Sequence, residues 1–262
     1  MRFSVLASGS TGNAIYVETD RTSLLIDVGI TGKQADAALQ EIGVNPAELK
    51  AILVSHEHVD HIKGVGVLAR RYNIPIYTNQ KTWGELEGQI GTITEDQRRF
   101  FEIGETKEFE DLAVESFGIS HDAAEPMGFC FYHGKKKLSL ATDLGYVSER
   151  IKQTIRGADA YIFEANHDVE MLRMSHYPWN IKRRILSDVG HLSNETAGEA
   201  LTDILQGRAE RVYLAHLSKE NNMAELARLT VKNILEEKGL KVGDDTHLRE
   251  TYPHRPTRLE EV

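Results

Sequence analysis

Short apolar runs set off by glycine- and asparagine-rich turns alternate along this chain with stretches whose apolar positions recur at helical spacing. Residues 3–7, 14–18 and 23–27 read as strands, separated by Gly9-Ser10-Thr11-Gly12-Asn13 and by a turn near Asp20-Arg21. A helix is expected over 31–42, where Thr31 with Gln34 three residues on gives a capping-box pattern. The continuous apolar segment 51–55 predicts a strand buried on both faces. A helix over 62–72 and a strand over 74–78 follow.

The second half repeats the theme. Strands are expected over 113–119, 128–132, 137–141, 160–163 and 211–215, with a hairpin joining the second and third around His133-Gly134-Lys135-Lys136. Helices are expected near 148–156 and 194–205, with an irregular and helical region over 166–186. A last helix begins near Asn222, with Glu225 as capping partner, and runs to about Lys238. Strands alternate with helices, yet several connect by hairpins. That combination favours an α/β fold of the αββα kind, two mixed β-sheets with helices on both outer faces, over a doubly wound parallel sheet. Residues 1–262 are expected to form one domain, a size at which a single core suffices.

Composition narrows the class without naming a substrate. A hydrophobic share of 40% and a charged share of 27% are ordinary for a soluble globular chain. No apolar stretch is long enough for a membrane span, and the N-terminus reads as a first strand instead of an export signal. The only cysteine, Cys130, lies in an aromatic strand and reads as an inert buried thiol. No internal disulfide is possible, so a reducing, cytoplasmic location is expected. The net charge of −9 excludes a surface basic all round but leaves room for a local cationic stripe on which nucleic acid could lie.

Chemistry enters at Ser55-His56-Glu57-His58-Val59-Asp60-His61, where imidazoles and carboxylates crowd into one loop directly behind a buried strand. Neutral imidazole and carboxylate oxygen suit zinc, manganese or iron without thiolate. Alternation along an extended segment puts His56 and His58 on one side. Asp60 and His61 then turn toward a second centre as the chain enters a helix. A solvated histidine-rich loop is the competing reading, and the ordered His-x-His-x-Asp-His pattern argues against it.

With that loop the chain resembles the metallo-β-lactamase superfamily over nearly its full length. The resemblance implies the fold of that name and a centre of two divalent metal ions, zinc or manganese, with iron as an option. It places Asp27 as a structural aspartate supporting the metal loop. It adds His121, Asp143 and His216, each just after a predicted strand, as further ligands. By position, His56, His58 and His121 hold one metal, Asp60, His61 and His216 the other, and Asp143 bridges both.

The stretches Ser8–Asn13, His121-Asp122-Ala123-Ala124-Glu125-Pro126, Glu164-Ala165-Asn166-His167-Asp168 and His216-Leu217-Ser218-Lys219-Glu220-Asn221-Asn222 are similar to the YycJ (WalJ) family, which implies a 5′-to-3′ exonuclease acting on DNA. Gly190-His191-Leu192-Ser193 and Glu164 resemble the corresponding region of ribonuclease Z. That likeness implies His191 as general acid at the leaving group and Glu164 as its orienting partner. The reaction implied is attack on phosphorus by a metal-activated bridging hydroxide that Asp143 positions. DNA contacts are expected at Lys182, Arg183 and Arg184, with Trp179 and Tyr177 placed to stack on a base, and at the hairpin lysines Lys135, Lys136 and Lys137. The Gly9–Gly12 turn could bring backbone amides to an anion, though a tight turn between strands explains those glycines equally well. Two other functions stay open: hydrolysis of a small phosphodiester, ester or thioester on the same metals, and a regulatory binding protein with a vestigial site.

Overall fold

The computed structural model describes residues 1–262, and its strands fall into two seven-stranded sheets. The first contains β1 (Arg2–Ala7), β2 (Ala14–Glu18), β3 (Ser23–Ile26), β4 (Ala51–Leu53), β5 (Ile76–Thr78) and β6 (Arg98–Phe100) in that spatial order, with β14 (Glu260–Glu261) on the free edge of β1. The second runs from β7 (Thr106–Phe109) through β8 (Leu112–Gly118), β9 (Met127–His133), β10 (Lys136–Ala141), β11 (Ala160–Glu164) and β12 (Glu210–Ala215) to β13 (Thr246–Glu250). Each sheet is mixed. Neighbours β1–β3 and β7–β10 pair antiparallel, whereas β3–β6 and β10–β13 pair parallel.

Side-chain alternation sorts the core into three layers. Phe3, Val5, Ile15, Leu24 and Leu53 of the first sheet meet Phe129, Phe131, Leu140 and Ile162 of the second across the middle. Their odd-even partners Leu6, Tyr16, Leu25 and Ile52 face outward. There they meet α1 (Gly32–Glu41) and α3 (Val65–Tyr72). On the opposite outer face Tyr161, Phe163, Val212 and Leu214 pack under α5 (Glu149–Ile155), α8 (Asn194–Ile204) and α9 (Ala224–Glu237). Each fully buried aliphatic or aromatic side chain contributes roughly 1.5–3 kcal/mol. Cys130 lies fully buried in that outer layer, and burial pushes its thiol up to about 11. The αββα architecture is the one the pattern predicts. No helix is long and apolar enough to cross a membrane.

Two local expectations need correction. The helix predicted over 62–72 is two, α2 (Val59–Ile62) and α3, because Gly64 passes close to the β3–α1 loop: its amide donates to Val28 O at 2.7 Å and a Cβ there would meet Ile30 O at 2.5 Å. Asn222 does not cap α9. Its side chain instead donates to the carbonyls of Ala165 and Asn166 and pairs with Asn194, so the helix starts at Ala224 without a side-chain cap. The region 166–186 resolves into two short helices, α6 (Val169–Met174) and α7 (Trp179–Ile185). A helix α4 (Gln80–Leu86) and the edge strands β6, β7, β13 and β14 had no signal strong enough to predict them.

Parallel pairing is what positions the site. Registers Ile26↔Leu53, Ala141↔Phe163 and Glu164↔Ala215 bring the carboxyl ends of adjacent strands level. Residues that follow those ends therefore emerge side by side along one rim of the sandwich.

Candidate metal centre

From the first sheet, Asp27 follows β3 and Ser55-His56-Glu57-His58 follows β4, with Asp60 and His61 on α2. From the second, His121 follows β8, Asp143 follows β10, Glu164 ends β11 and His216 follows β12. Asp27, Asp143 and His216 each adopt a left-handed backbone conformation, with φ of 55°, 62° and 56°. A non-glycine residue held there costs about 1–3 kcal/mol and persists only where surrounding structure fixes it. Here the turn lets the chain leave the strand while the side chain points into the rim.

Donor atoms of His56, His58 and His121 lie within 4.8 Å of one another, as do those of Asp60, His61 and His216, and those of His56, His61 and Asp143. Individual separations are 3.2 Å for His58 Nδ1–His121 Nε2, 3.3 Å for His61 Nε2–Asp143 Oδ2, 3.3 Å for His216 Nε2–Asp60 Oδ2 and 3.7 Å for His121 Nε2–Asp143 Oδ1. Ligands about 2.0–2.2 Å from a tetrahedral ion stand roughly 3.3–3.6 Å apart, so the spacing suits first-row divalent cations. His56 Nε2 and Asp143 Oδ2 are buried without a hydrogen-bond partner, which is costly unless a cation engages them.

The imidazoles are oriented from behind. His61 Nδ1 lies 2.8 Å from Asp27 Oδ2, His56 Nδ1 3.0 Å from Ser55 Oγ, His121 Nδ1 3.1 Å from Gly190 O, and His216 Nδ1 2.9 Å from Glu164 Oε1. Asp27, the Gly190 carbonyl and Glu164 can only accept, and the Ser55 hydroxyl gives its own proton to Asp27 Oδ2 at 2.8 Å. Each ring therefore carries its proton on Nδ1 and presents Nε2 to the centre, the usual outer support for a ligating histidine. Asn13 adds a further contact, its amide nitrogen 3.2 Å from His61 Nε2.

Charge follows the same plan. Burial keeps His56 well below its ordinary pKa, hence neutral, the form that binds a metal. Burial opposes ionisation of Asp143, but the surrounding His216, His61 and His56 hold its carboxyl well below the usual range. Burial likewise disfavours charge on His61 and His216, yet Asp143 and the other carboxylates outweigh it, raising His61 well above its normal value and His216 up to about 10. The cluster draws positive charge into itself, and divalent ions supply it.

Glu164, expected only as a partner of His191, organises much more. One oxygen, Oε1, accepts from His191 Nδ1 at 2.8 Å as well as from His216. The other, Oε2, accepts from the amides of Leu144 at 2.8 Å and Leu192 at 3.0 Å, the residues after Asp143 and His191. Burial alone would raise its pKa, but His191 and His216 bring it down to about 2. His191 remains partly exposed, with side-chain exposure of 19%, and its Nε2 is left without a protein partner.

Among the residues expected to meet DNA, Lys182 is corrected. It is buried, and its ammonium donates to Arg173 O and Ser175 O at 2.7 Å each, so it closes the α6–α7 turn. Arg184 is exposed at the rim and pairs with Asp122, next to His121. Arg183 is exposed on the same helix, Trp179 is 64% exposed, and Tyr177 is half-buried. Of the hairpin lysines, Lys135 lies in the turn between β9 and β10 and Lys136 and Lys137 open β10, at the end of those strands opposite Asp143. There Lys136 pairs with Asp159, and Lys137 donates to Thr154 O and Arg156 O. That tip is corrected as well: it does not adjoin the site. Sequence reasoning missed Ser55 as an orienting group and the Gly190 carbonyl. Ser55 stood inside the signature loop, whereas a backbone carbonyl leaves no sequence signal.

A mixed-sheet αββα sandwich with a histidine–aspartate cluster along its rim defines a metal-dependent hydrolase. The family model described as "Beta-lactamase superfamily domain" matches residues 22–217. The chain is 54% identical over 262 residues, all of it and 99% of the relative, to exodeoxyribonuclease YycJ of Bacillus anthracis. It is 48% identical over 263 residues, covering 100% of this chain and 98% of the relative, to exodeoxyribonuclease WalJ of Streptococcus pneumoniae. Among solved structures, the metallo-β-lactamase fold protein YhfI of Bacillus subtilis superposes with a TM-score of 0.74 at 15% identity, over 98% of this chain and 99% of that one. The chain belongs to the metallo-β-lactamase superfamily and, within it, to the YycJ/WalJ family.

Proposed function

We propose that this protein is a phosphodiesterase that degrades DNA from a 5′ end, working in the cytoplasm with residues 1–262 as one domain and two divalent ions, zinc or manganese. The observation that carries it is the His191–Glu164 pair at the edge of the ligand cluster, a ready proton donor beside the donor atoms. The names of the full-length relatives supply the substrate class. His56, His58 and His121 would hold one ion and Asp60, His61 and His216 the other, with Asp143 between them. When bound, such a pair lowers the pKa of a water and neutralises charge on a phosphoryl group.

The chain's own residues do the rest. Glu164 fixes His191 through Nδ1, so the Nε2 proton of the imidazolium is the one delivered to the departing oxygen. The same carboxylate oxygen fixes His216, so acid and ligand are registered to each other. Asp60 and Asp143 keep their carboxylates ionised at neutral pH, available as ligands. Arg183, Arg184 and Trp179 would line the approach of the strand, the arginines toward phosphate and the indole toward a base.

The test assays the manganese- or zinc-loaded protein on 5′-labelled linear duplex, closed circular DNA and a small bis-phosphodiester. Release of label from the linear duplex alone is expected. Cleavage restricted to the small ester would replace DNA as the substrate, and no turnover with any metal would leave a binding protein.

A further inference from the structure

Beside the metal centre lies a cavity of about 300 Å³ between the Ser8–Gly12 loop and the segment after His216. It adjoins the site directly: the Ser8 hydroxyl accepts the His216 amide at 2.8 Å, and Leu217 and Lys219 continue into the wall. Gly9 and Gly12, with φ of 148° and 158°, allow the loop to press in; a Cβ on Gly9 would approach Leu217 O to 3.2 Å and one on Gly12 would meet Gly29 O at 2.8 Å. The far side is walled by the segment 251–254, pinned where the Ser8 amide donates to Tyr252 O at 3.0 Å.

The lining is unusual for a chain of charge −9. Four other cavities, of about 140 to 680 Å³, each contain at least one glutamate. This one contains no carboxylate, while Lys219 and His254 face it with the hydroxyls of Ser10 and Thr11. Lys219 is exposed and makes no ion pair, and the Thr11 hydroxyl is uncommitted. One ammonium and one uncommitted hydroxyl in a wall without a carboxylate, the exposed Glu220 next to Lys219 being outside that lining, are chemistry that suits a phosphate monoester.

We infer that this cavity receives the terminal 5′-phosphate of the DNA strand, with Lys219 and Thr11 as its donors, and so sets cleavage at the end of the chain. A wall on the far side suits a terminus better than a strand passing through. The inference rests on the DNA-degrading reading of the adjacent metal centre and adds to it how the end is recognised.

The experiment titrates the metal-loaded protein with a fluorescent, phosphorothioate-linked single strand, which resists hydrolysis, bearing either a 5′-phosphate or a 5′-hydroxyl. The 5′-phosphate should tighten Kd about tenfold, the scale of one charge-assisted contact. Lys219→Gln and Thr11→Val should bring the ratio close to one; both positions are exposed, and circular dichroism checks that each variant is folded. Equal affinity of the wild type for both ends, including no binding to either, overturns the inference. So does binding of a free nucleoside 5′-monophosphate with no gain from the 5′-phosphate on the strand, which would give the cavity to released product. Degradation of unmodified linear duplex, scored separately, decides the broader reading, so either can fail while the other stands.

Discussion

Glu164 is the residue on which the others converge, because one buried carboxylate accepts from His216, from His191 and from amides of the two loops that bear Asp143 and His191, and so would support both the proposed ligand and the proposed acid. Glu164→Gln replaces one acceptor oxygen with an NH2 group of similar size. Either two histidines lose their partner at Oε1 or two amides face a donor at Oε2. Turnover is expected to fall about 10- to 100-fold with weaker metal retention, the usual effect of removing support behind a ligand. Metal content by mass spectrometry and kcat, measured together, check this; a variant with wild-type values of both would remove Glu164 from the mechanism. His191→Ala should behave differently from Asp143→Ala. The first should slow turnover about 10²- to 10⁴-fold, the range of general acid catalysis, with metal content intact. The second should lose metal and activity together. Metal loss from His191→Ala would make His191 a ligand, a role its place near Asp143, Glu164 and His216 permits.

Elements hold the site through close backbone approach, and Gly29 is where that can be tested. A Cβ on Gly29 would lie 1.6 Å from Asp60 O and 2.7 Å from the Asn13 amide, while Gly29 itself donates to Asn13 O at 2.7 Å and Asn13 to Asp60 O at 2.8 Å. The β3–α1 turn, the Ser8–Asn13 loop and the start of α2 are thus laced together by main chain. Gly29→Ala must push Asp60 and His61 outward, at a cost of roughly 1–3 kcal/mol. The expected result is a protein with native far-UV circular dichroism that retains fewer metal ions per chain; undiminished metal content would show that the lacing does not position Asp60. Much at this scale was legible in advance. Strands 3–7 and 14–18 announced themselves through short apolar runs, and the Thr31–Gln34 box forms as read, with Thr31 accepting from the Gln34 amide. The signature loop gathered His56, His58, Asp60 and His61 in sequence, so their proximity needed no fold. What escaped lacks a local signature. Edge strand β6 is Arg-Arg-Phe and β14 is Glu-Glu, paired only because a neighbouring strand offers its backbone. Lys182 looked like any exposed cation, and only the α6–α7 turn, whose carbonyls it caps, takes it out of solvent.

At the scale of the whole molecule, the centre joins two halves that elsewhere meet through an apolar middle layer and a few edge contacts such as Thr22 Oγ1 to Phe109 O and Arg21 to Glu110. Asp60 and His61 come from the first sheet, His121, Asp143 and His216 from the second, and the fully buried contacts between the sheets are hydrocarbon and aromatic. The rim, by contrast, gathers the carboxylates of Asp27, Asp60, Asp143 and Glu164, the last three of which hold negative charge at neutral pH. Without cations those charges rely on protons taken up by His61 and His216, a weaker compensation than divalent ions provide. An unfolded chain has no such convergence of donors, so metal binding stabilises the folded state by mass action, about 2.7 kcal/mol per site at a hundred times Kd. In a chain of this size each kcal/mol moves Tm by about 2–4 °C. Zinc or manganese added to chelator-stripped protein should therefore raise Tm by roughly 5–10 °C for one occupied site, and by more when both fill. Asp143→Ala, which removes the carboxylate proposed to lie between the two ions, should lose most of that rise; its metal-free Tm should not exceed that of the stripped wild type, because, despite burial, the carboxyl held ionised by His216, His61 and His56 contributes to folding at neutral pH. Differential scanning calorimetry on the two proteins, with and without metal, gives all four values. A Tm that metal leaves unchanged in the wild type would mean that the two sheets are not bridged by cations at this rim.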